Sequence, residues 1–224
     1  MWGNTMKKSV AVLGLGIFGS RLVDELVDLG ADVLIADADK EQVNHYSDKV
    51  SYAMSADLSS PEAIKGIGIE NMDAVIVSMA SCLESSIMCI MIAKELGVPR
   101  ILAKASSHRM GDIFLKVGAD EVIYSEEDSA VRTARKVLSG NVIDYFSFND
   151  DIVIVNILPP AEWVGKTLKQ LNLRAGYGAN VIAVKSGDRL NARVDPDARL
   201  KKGEELLIAS EQEDMNRLLK KLNK

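Results

Sequence analysis

The sequence is poor in cysteine, histidine and aromatic residues. It holds two cysteines and two histidines, and aromatic side chains make up 5% of its 224 residues. The cysteines, Cys82 and Cys89, lie about two helical turns apart in an apolar segment, which is too far for a disulfide bond. We therefore expect two buried thiols, which suit a reducing compartment.

A basic excess and a long apolar run are also absent. The formal net charge of −5 argues against a sequence-independent hold on nucleic acid, which needs clustered Lys and Arg. No run approaches the roughly 20 apolar residues that span a bilayer, and the opening MWGNTMKKS lacks the apolar core of a signal peptide. With 47% apolar and 26% charged residues, the composition indicates a soluble, cytoplasmic chain of one or two globular domains.

Short β-rich runs alternate with amphipathic helical patterns up to about residue 140. Patterns such as FGSRLVDELVDLG and LESSIMCIMIAKELG separate most of these runs and predict helices. Apolar strands regularly separated by helices are typical of a parallel sheet covered on both faces. The predicted strands are SVAVL, DVLIAD, VSYAM, AVIVS, RILAK and EVIY.

The pattern changes after a last predicted helix at about Glu126 to Leu138. The segment SGNVIDYFSFNDD that follows contains glycine and polar residues, and we interpret it as the domain boundary. Beyond it, the runs IVIVNIL, NVIAVKSG and LLIAS stand at hairpin-like spacing, with a short helix at KTLKQLNL and a terminal helix at EDMNRLLKKLNK. We predict an α/β domain at residues 7–142 and a small α+β lobe at residues 143–224.

Three glycines directly follow the first predicted strand. Gly14, Gly16 and Gly19 form G-x-G-x-x-G, in which the first permits a tight turn, the second lets a pyrophosphate approach and the third lets helix and strand pack closely. Asp37 ends the second strand, where a carboxylate accepts hydrogen bonds from ribose hydroxyls and repels a 2′-phosphate. The pattern predicts a Rossmann-like doubly wound parallel sheet that binds NAD or a plain adenine nucleotide; the alternative is a tight turn without ligand.

An oxidoreductase would also need a substrate site with an acid–base residue. His45 lies in a partly polar helical stretch and His108 near a helix start, and surface exposure is the simpler interpretation of both. The sequence shows no Ser-His-Asp, Cys-His or metal-ligand spacing. We therefore expect no enzyme, with the nucleotide acting as a signal; the alternatives are a small NAD-dependent oxidoreductase and a ligand-sensing transcription regulator.

Several longer segments follow one another in an informative order. They are AVLGLGIFGSRLVDEL, VLIADADKEQVN, YAMSADLSSPEAIKGIGIENMDAVIVSM, ILAKASS, LKVGADEVIYSEED, LNLRAGYGANVIAVKSG and LKKGEELLIAS. Together they resemble the cytoplasmic regulatory subunits of the Ktr and Trk potassium-uptake systems, which are built from RCK domains (regulator of conductance of potassium). The resemblance implies an N-terminal lobe that binds ATP, ADP or NAD(H) and an RCK C-terminal lobe. It also implies a homodimer that assembles to an octameric ring beneath a KtrB- or TrkH-like transporter subunit, at the inner face of the membrane.

The resemblance also implies roles for individual residues. Ser78 and Lys104 end two strands, where ligands bind in such sheets; Lys104 would reach a terminal phosphate or, alternatively, lie in solvent. Asp57 matches the position that contacts the adenine edge; the alternative is a cap for the turn before Pro61. Glu126 would help to hold a divalent cation near the phosphates, or it is simply a favourable first-turn carboxylate. The phosphate cradle would be Gly14, Gly16, Ile17, Phe18 and Gly19, with Asp37 on the ribose.

One residue departs from the family pattern. Members that respond to ATP often carry arginine in GLGRFG, where the guanidinium pairs with phosphate oxygens; here that residue is Ile17. We expect weaker binding of ATP relative to ADP, AMP or NAD(H). Arg21, one turn further on, is a possible substitute, although an ion pair with Glu25 is the commoner arrangement.

The C-terminal lobe offers a second possible ligand site. In some family members the corresponding lobe forms a dimer that binds cyclic di-AMP, and here Arg174 and Asn180 could meet a phosphate and a base. The alternative is a strand preceded by a glycine-rich turn in a small dimer core. The terminal helix carries an apolar stripe at Met215, Leu218, Leu219 and Leu222, which we expect to pack on this lobe.

Overall fold

The computed structural model describes residues 7–79, 82–138, 140–147 and 151–222. The chain forms two compact units that divide after Glu126. This division falls ahead of the boundary that the sequence suggested at residue 142, and that boundary stays a prediction. Each unit is therefore described by itself.

The first unit is built on a six-stranded parallel sheet in the order β3-β2-β1-β4-β5-β6. All six predicted strands are confirmed, and the Rossmann-like fold with them. The order reverses between β1 and β4, which opens a crevice at the carboxyl ends of these strands. The strands are β1 (Ser9–Leu13), β2 (Asp32–Asp37), β3 (Tyr52–Ser55), β4 (Ala74–Val77), β5 (Ile101–Lys104) and β6 (Glu121–Ile123).

Helices cover both faces of this sheet. Side-chain oxygens of Asp39, Ser60 and Ser107 accept hydrogen bonds at the N-termini of three of them, which satisfies N–H groups that the helix leaves unpaired. In the described part of the chain, no helix has the length and apolar character needed to cross a bilayer. The helices of this unit are α1 (Ile17–Asp28), α2 (Lys40–Tyr46), α3 (Pro61–Lys65), α4 (Leu83–Glu95) and α5 (His108–Val117), with a 3₁₀ turn at Ile69–Asn71. Helix α6 (Ser125–Leu138) begins at the end of the first unit, and most of its residues belong to the second.

Two hydrophobic clusters hold the first unit together, one on each face of the sheet. Val12, Val23 and Ile35 are fully buried in one cluster, and Ile90 and Phe114 are fully buried in the other. Burial on both faces explains why the strands are continuous apolar runs without polar alternation.

The second unit contains a five-stranded antiparallel sheet in the order β10-β9-β11-β8-β7. Met215 and Leu218 of the terminal helix are fully buried against it, so the predicted packing of that helix is confirmed. The strands are β7 (Val142–Ser147), β8 (Ile152–Ile157), β9 (Asn180–Ser186), β10 (Arg189–Asn191) and β11 (Glu205–Glu211); the helices are α7 (Leu168–Leu171), α8 (Leu173–Tyr177) and α9 (Gln212–Leu222), with a 3₁₀ turn at Ala161–Trp163.

Two local interpretations of the sequence differ from the structure. The SGNVIDYFSFNDD segment contains strand β7, which pairs with β8 and buries Val142 and Tyr145; Ser139 and residues 148–150 of that segment lie outside the described residues. The buried-thiol expectation is confirmed for Cys89, but it is wrong for Cys82, the N-cap residue of α4, which is exposed. Burial raises the pKa of the Cys89 thiol to about 12.

Candidate functional site

The turn between β1 and α1 needs glycine at two positions for different reasons. Gly14 has a φ of 98°, which a residue with a side chain rarely adopts, and a Cβ there would lie 2.6 Å from the Cγ of Met79. A Cβ on Gly19 would lie 2.1 Å from the Gly14 carbonyl oxygen and 2.6 Å from the Oγ of Ser78. The chain therefore brings α1 into direct backbone contact with the turn that precedes it.

Gly16 differs from the other two glycines because no internal contact requires it. Its φ is −63° and a Cβ there would meet nothing within 4 Å. It forms the N-cap of α1, and among the described residues no side chain caps this helix and no acidic residue lies in its first turn. The N–H groups and the positive dipole end of α1 thus face open space, which is the arrangement that anion sites use.

The carboxylate of Asp37 connects the glycine turn to the end of β2. Its Oδ2 accepts a hydrogen bond from the Leu15 N–H at 2.5 Å, and its Oδ1 accepts one from the Asp39 N–H at 2.8 Å. A carboxylate has about four acceptor positions, so two remain for the hydroxyls of a ligand. Asp37 therefore shapes the turn and still presents acceptors at the crevice.

Ser78 is nearly buried and its hydroxyl is directed at the turn. The hydroxyl lies 2.5 Å from the Gly14 carbonyl oxygen and 3.2 Å from that of Leu13, to which it donates. Since the hydroxyl hydrogen is used in this way, the described contacts assign Ser78 to the construction of the turn. Direct contact with a ligand stays a prediction.

Eight of the ten predicted ligand residues line one cavity of about 700 Å³. This volume lies within the range of small-molecule sites. Met79 and Ser106 also line the cavity and were missed by the sequence reasoning, although both follow the carboxyl ends of strands, as ligand residues in such sheets do. The eight predicted residues are Gly14, Gly16, Ile17, Phe18, Asp37, Ser78, Lys104 and Glu126.

Asp57 and Gly19 are not among the residues that line this cavity. The Oδ1 of Asp57 accepts hydrogen bonds from the backbone N–H and the hydroxyl of Ser59, at 2.9 and 2.7 Å. These hydrogen bonds lower the pKa of the Asp57 carboxyl. The structure thus displays the local turn that was the alternative interpretation of Asp57, and the adenine contact stays a prediction.

Lys104 and Glu126 form an ion pair in the wall of the cavity. The Nζ of Lys104 lies 2.5 Å from the Oε1 of Glu126 and 5.7 Å from the centre of the Phe18 ring. The Lys104 side chain is 11% exposed and that of Glu126 is 68% exposed. The hydrogen bond from Lys104, followed by that from Ser125, lowers the pKa of the Glu126 carboxyl.

The cavity offers little positive charge. Among the described residues that line it, Lys104 is the one cation, whereas Asp37 and Glu126 are anions. Ile17 is 91% exposed at the start of α1 and contributes no charge. The Nη1 of Arg21 lies 3.9 Å from the Oδ2 of Asp24, so its ion pair is with Asp24 and not with Glu25; a contact of Arg21 with a phosphate stays a prediction.

The described residues do not form a metal site by themselves. Within residues 7–79, 82–138, 140–147 and 151–222, no three His, Cys, Asp or Glu side chains are placed to hold an ion. Glu126, the predicted cation ligand, instead contacts an ammonium group. Both histidines are exposed, as expected. The described residues of one chain thus do not bring three such ligands together, and the cation role of Glu126 stays a prediction.

A second, smaller cavity lies in the C-terminal unit. It has a volume of about 370 Å³ and is lined by Arg174 on α8, Asn180 at the start of β9, and Pro196. Arg174 and Asn180 are the two residues that the resemblance links to cyclic di-AMP. The structure thus brings them together at one concave surface.

Comparison with known proteins gives matches over both units. The TrkA-N domain family matches residues 10–125, and the TrkA-C domain family matches residues 152–223. Ktr system potassium uptake protein C of Bacillus subtilis is 37% identical over 81% of this chain and 82% of its own length. Ktr system potassium uptake protein A of the same organism is 30% identical over 96% of this chain and 97% of its own.

A solved structure of a GsuK channel bound to NAD has the same fold. It superimposes with a TM-score of 0.65 over 99% of this chain at 14% sequence identity. This chain spans 40% of the length of that channel chain.

Proposed function

The chain belongs to the family of TrkA-N and TrkA-C domain proteins, and we propose that it is a cytoplasmic regulatory subunit that gates a membrane potassium-uptake transporter. The names of the two Bacillus subtilis relatives, both Ktr system potassium uptake proteins, support this class of function. The transporter partner would be a KtrB- or TrkH-like membrane subunit. The protein would lie at the inner face of the membrane only through that partner.

The input to this regulation is an adenine nucleotide in the cavity of the first unit. The observation that carries the proposal is the meeting of Gly16, Asp37 and Lys104 at one cavity of about 700 Å³. The uncapped N-terminus of α1 suits a pyrophosphate, and the free acceptor positions of Asp37 suit ribose hydroxyls. Each residue thus contributes a different part of nucleotide recognition.

Charge decides which nucleotide suits the cavity. Two carboxylates and one ammonium line it, so the extra terminal charge of a triphosphate meets two anions and finds only one cation for a charge-assisted contact. Asp37 would repel a 2′-phosphate, which disfavours NADP. We therefore rank NAD(H), ADP and AMP ahead of ATP, and the NAD-bound GsuK channel of the same fold supports beginning with NAD(H).

We propose that the nucleotide is sensed without turnover. A ligand shifts a conformational equilibrium only as far as it binds two states with different affinities. In a ring of homodimers, the family arrangement, such a shift would change the surface that meets the transporter. A small NAD-dependent oxidoreductase is the alternative, and it predicts hydride transfer with a substrate.

The C-terminal cavity is a second candidate site. Arg174 can pair with a phosphate and Asn180 can hydrogen-bond a base edge, and both line the same 370 Å³ cavity. Cyclic di-AMP contains both chemical groups twice, so a two-fold pair of C-terminal lobes would match its symmetry. This proposal requires self-association of the second unit.

Calorimetric titration of nucleotide-free protein tests the proposal. NADH, ADP, AMP, ATP and cyclic di-AMP are each titrated with and without magnesium, and the absorbance of NADH is followed to detect turnover. Asp37→Asn should weaken binding of NADH and ADP severalfold while the protein stays folded, because Asn retains one acceptor for the turn. Rubidium uptake by vesicles that contain a KtrB-like subunit then tests gating: no response of uptake to the added protein and nucleotide contradicts the regulatory role.

A further inference from the structure

The lysine in the nucleotide cavity is already held by an anion of its own chain. Lys104 Nζ lies 2.5 Å from Glu126 Oε1, and the Lys104 side chain is only 11% exposed. A second hydrogen bond, from Ser125 Oγ to Glu126 Oε2 at 3.0 Å, orients the carboxylate. The ammonium thus has an anionic partner within its own chain.

Lys104 also lies close to the place where a phosphate would bind. Its Nζ is 5.7 Å from the centre of the Phe18 ring, and Phe18 is the second residue of α1. The uncapped N–H groups of α1 begin at this same turn. Two anions, the Glu126 carboxylate and a phosphate at the helix N-terminus, would therefore compete for one ammonium.

We propose that Glu126 is an internal competitor of the nucleotide phosphates, and that a phosphate ester binds by taking Lys104 away from Glu126. This inference rests on the proposed nucleotide site and states how the affinity of that site for phosphate esters is regulated. Glu126 is the second residue of α6, the helix that continues beyond the end of the first unit. Ligand binding would therefore break the contact between Lys104 and Glu126 at the start of that helix.

The inference differs from a cation-ligand role in a measurable way. A competitor weakens the binding of anionic ligands, so its removal strengthens binding. A cation ligand strengthens the binding of a metal–nucleotide complex, so its removal weakens binding when magnesium is present. Glu126→Gln removes the charge, keeps the shape of the side chain and distinguishes the two roles.

The experiment measures the affinities of ADP and adenosine for the full chain, in EDTA and in magnesium. Glu121→Gln is the matched control, because Glu121 also forms an ion pair, at 2.7 Å with Arg100, but does not line the cavity. In EDTA we expect Glu126→Gln to bind ADP about two- to fivefold more tightly than the wild-type protein, the range for one partly exposed ion pair. Adenosine, which carries no phosphate, should bind all three proteins equally.

Lys104→Gln completes the test. It should weaken ADP binding, and the double variant Lys104→Gln/Glu126→Gln should bind ADP no better than Lys104→Gln alone, since the contested ammonium is gone. If Lys104→Gln fails to fold, as circular dichroism would show, the contrast between ADP and adenosine in Glu126→Gln still decides the question.

Each other outcome overturns the inference. Unchanged or weaker ADP binding by Glu126→Gln in EDTA removes the competitor role, and a loss confined to magnesium identifies a cation ligand instead. An equal gain for adenosine indicates a change of shape and not of charge. If the wild-type protein binds ADP and Glu126→Gln binds it no better, only this inference fails; if neither protein binds ADP, the proposed nucleotide site fails with it.

Discussion

The backbone of Gly19 lies so close to the Gly14 carbonyl oxygen that a side-chain carbon would stand 2.1 Å from it. A non-bonded carbon atom does not approach an oxygen this closely. The carbonyl belongs to the backbone, so it cannot rotate away as a flexible side chain could. The first turn of α1 and the end of β1 are therefore joined by a contact that glycine alone permits. Gly16, three residues earlier, is free of such contacts.

This difference predicts that alanine is harmful to stability at Gly19 and tolerated at Gly16. Gly19→Ala should lower the free energy of unfolding by about 1–3 kcal/mol or more, because an overpacked core forces the backbone to shift. Gly16→Ala should leave stability within about 1 kcal/mol, because its φ suits alanine and its Cβ meets only open space. Denaturant unfolding measures both, and equal losses of stability would contradict the assignment.

Gly16→Ala should nevertheless affect ligand binding. The space in front of Gly16 is where a pyrophosphate approaches the helix N-terminus, so a methyl group there should weaken ADP binding severalfold while the protein remains folded. Adenosine provides the control, because it lacks the phosphates. An unchanged ADP affinity would place the phosphates elsewhere in the cavity.

A gain of ATP binding is expected from Ile17→Arg. Ile17 is 91% exposed, so its replacement costs little stability, and the new guanidinium would supply a second cation beside Lys104. ATP affinity should rise roughly five- to tenfold, with a smaller effect on AMP, because the added contact is charge-assisted and reaches terminal phosphates. Ile17→Gln is the uncharged control in the same calorimetric titration, and an equal response of ATP to both variants would refute the charge argument.

The sequence predicted most of the first unit because its signals are local and strong. Six apolar runs, the glycine pattern and Asp37 each carry a physical requirement that can be identified without coordinates, and the structure contains them in the expected order. Asp57 was harder because the donors to its carboxylate, the N–H and hydroxyl of Ser59, depend on a turn geometry that residue spacing does not determine.

Elements at the edges of the second sheet were the hardest to predict. β10 has only three residues, all exposed, at the edge of the sheet beside β9, and a run of this length is too short for an alternation of side chains to indicate a strand. β7 carries an irregular register between Val142 and Asp144, which interrupts the two-residue period. Neither strand could be distinguished from a loop by sequence pattern.

The two cysteines should differ in reactivity. Cys89 is fully buried and its pKa is raised to about 12, whereas the hydrogen bond with Ser85 lowers the pKa of the exposed Cys82. A thiol reagent at pH 8 should therefore label one cysteine in the folded protein and two after denaturation. Ser85→Ala should slow the labelling of Cys82; fast labelling of Cys89 in the folded state would contradict the buried assignment.

The raised pKa of the Cys89 thiol also predicts that the stability of the protein depends on pH. The unfolded thiol of Cys89 ionises near pH 8.5 and the folded thiol at about 12, so between these values the unfolded chain has lost a proton that the folded chain retains. Stability should therefore fall as pH rises through this window. Denaturant unfolding between pH 8 and 10 measures the slope, which Cys89→Ala should reduce.

Helix α6 provides the prediction about assembly. No residue of this 14-residue helix is buried, yet Val131, Val137 and Leu138 are exposed by 45%, 78% and 79% and, with Ala134, form an apolar stripe. An amphipathic helix gains most of its stability by covering such a stripe, and a second copy of the chain supplies the same surface for a two-fold contact.

Leu138→Glu should therefore lower the molar mass measured by light scattering, because a charge in this stripe would have to be buried in the interface. The free energy of unfolding should hardly change under conditions where the protein is monomeric, since the side chain is not buried within its own chain. Ser129→Glu adds the same charge on the exposed polar side of α6 and should leave the mass unaltered. A wild-type protein that is already monomeric, or equal masses for the two variants, would show that the stripe does not hold the copies together.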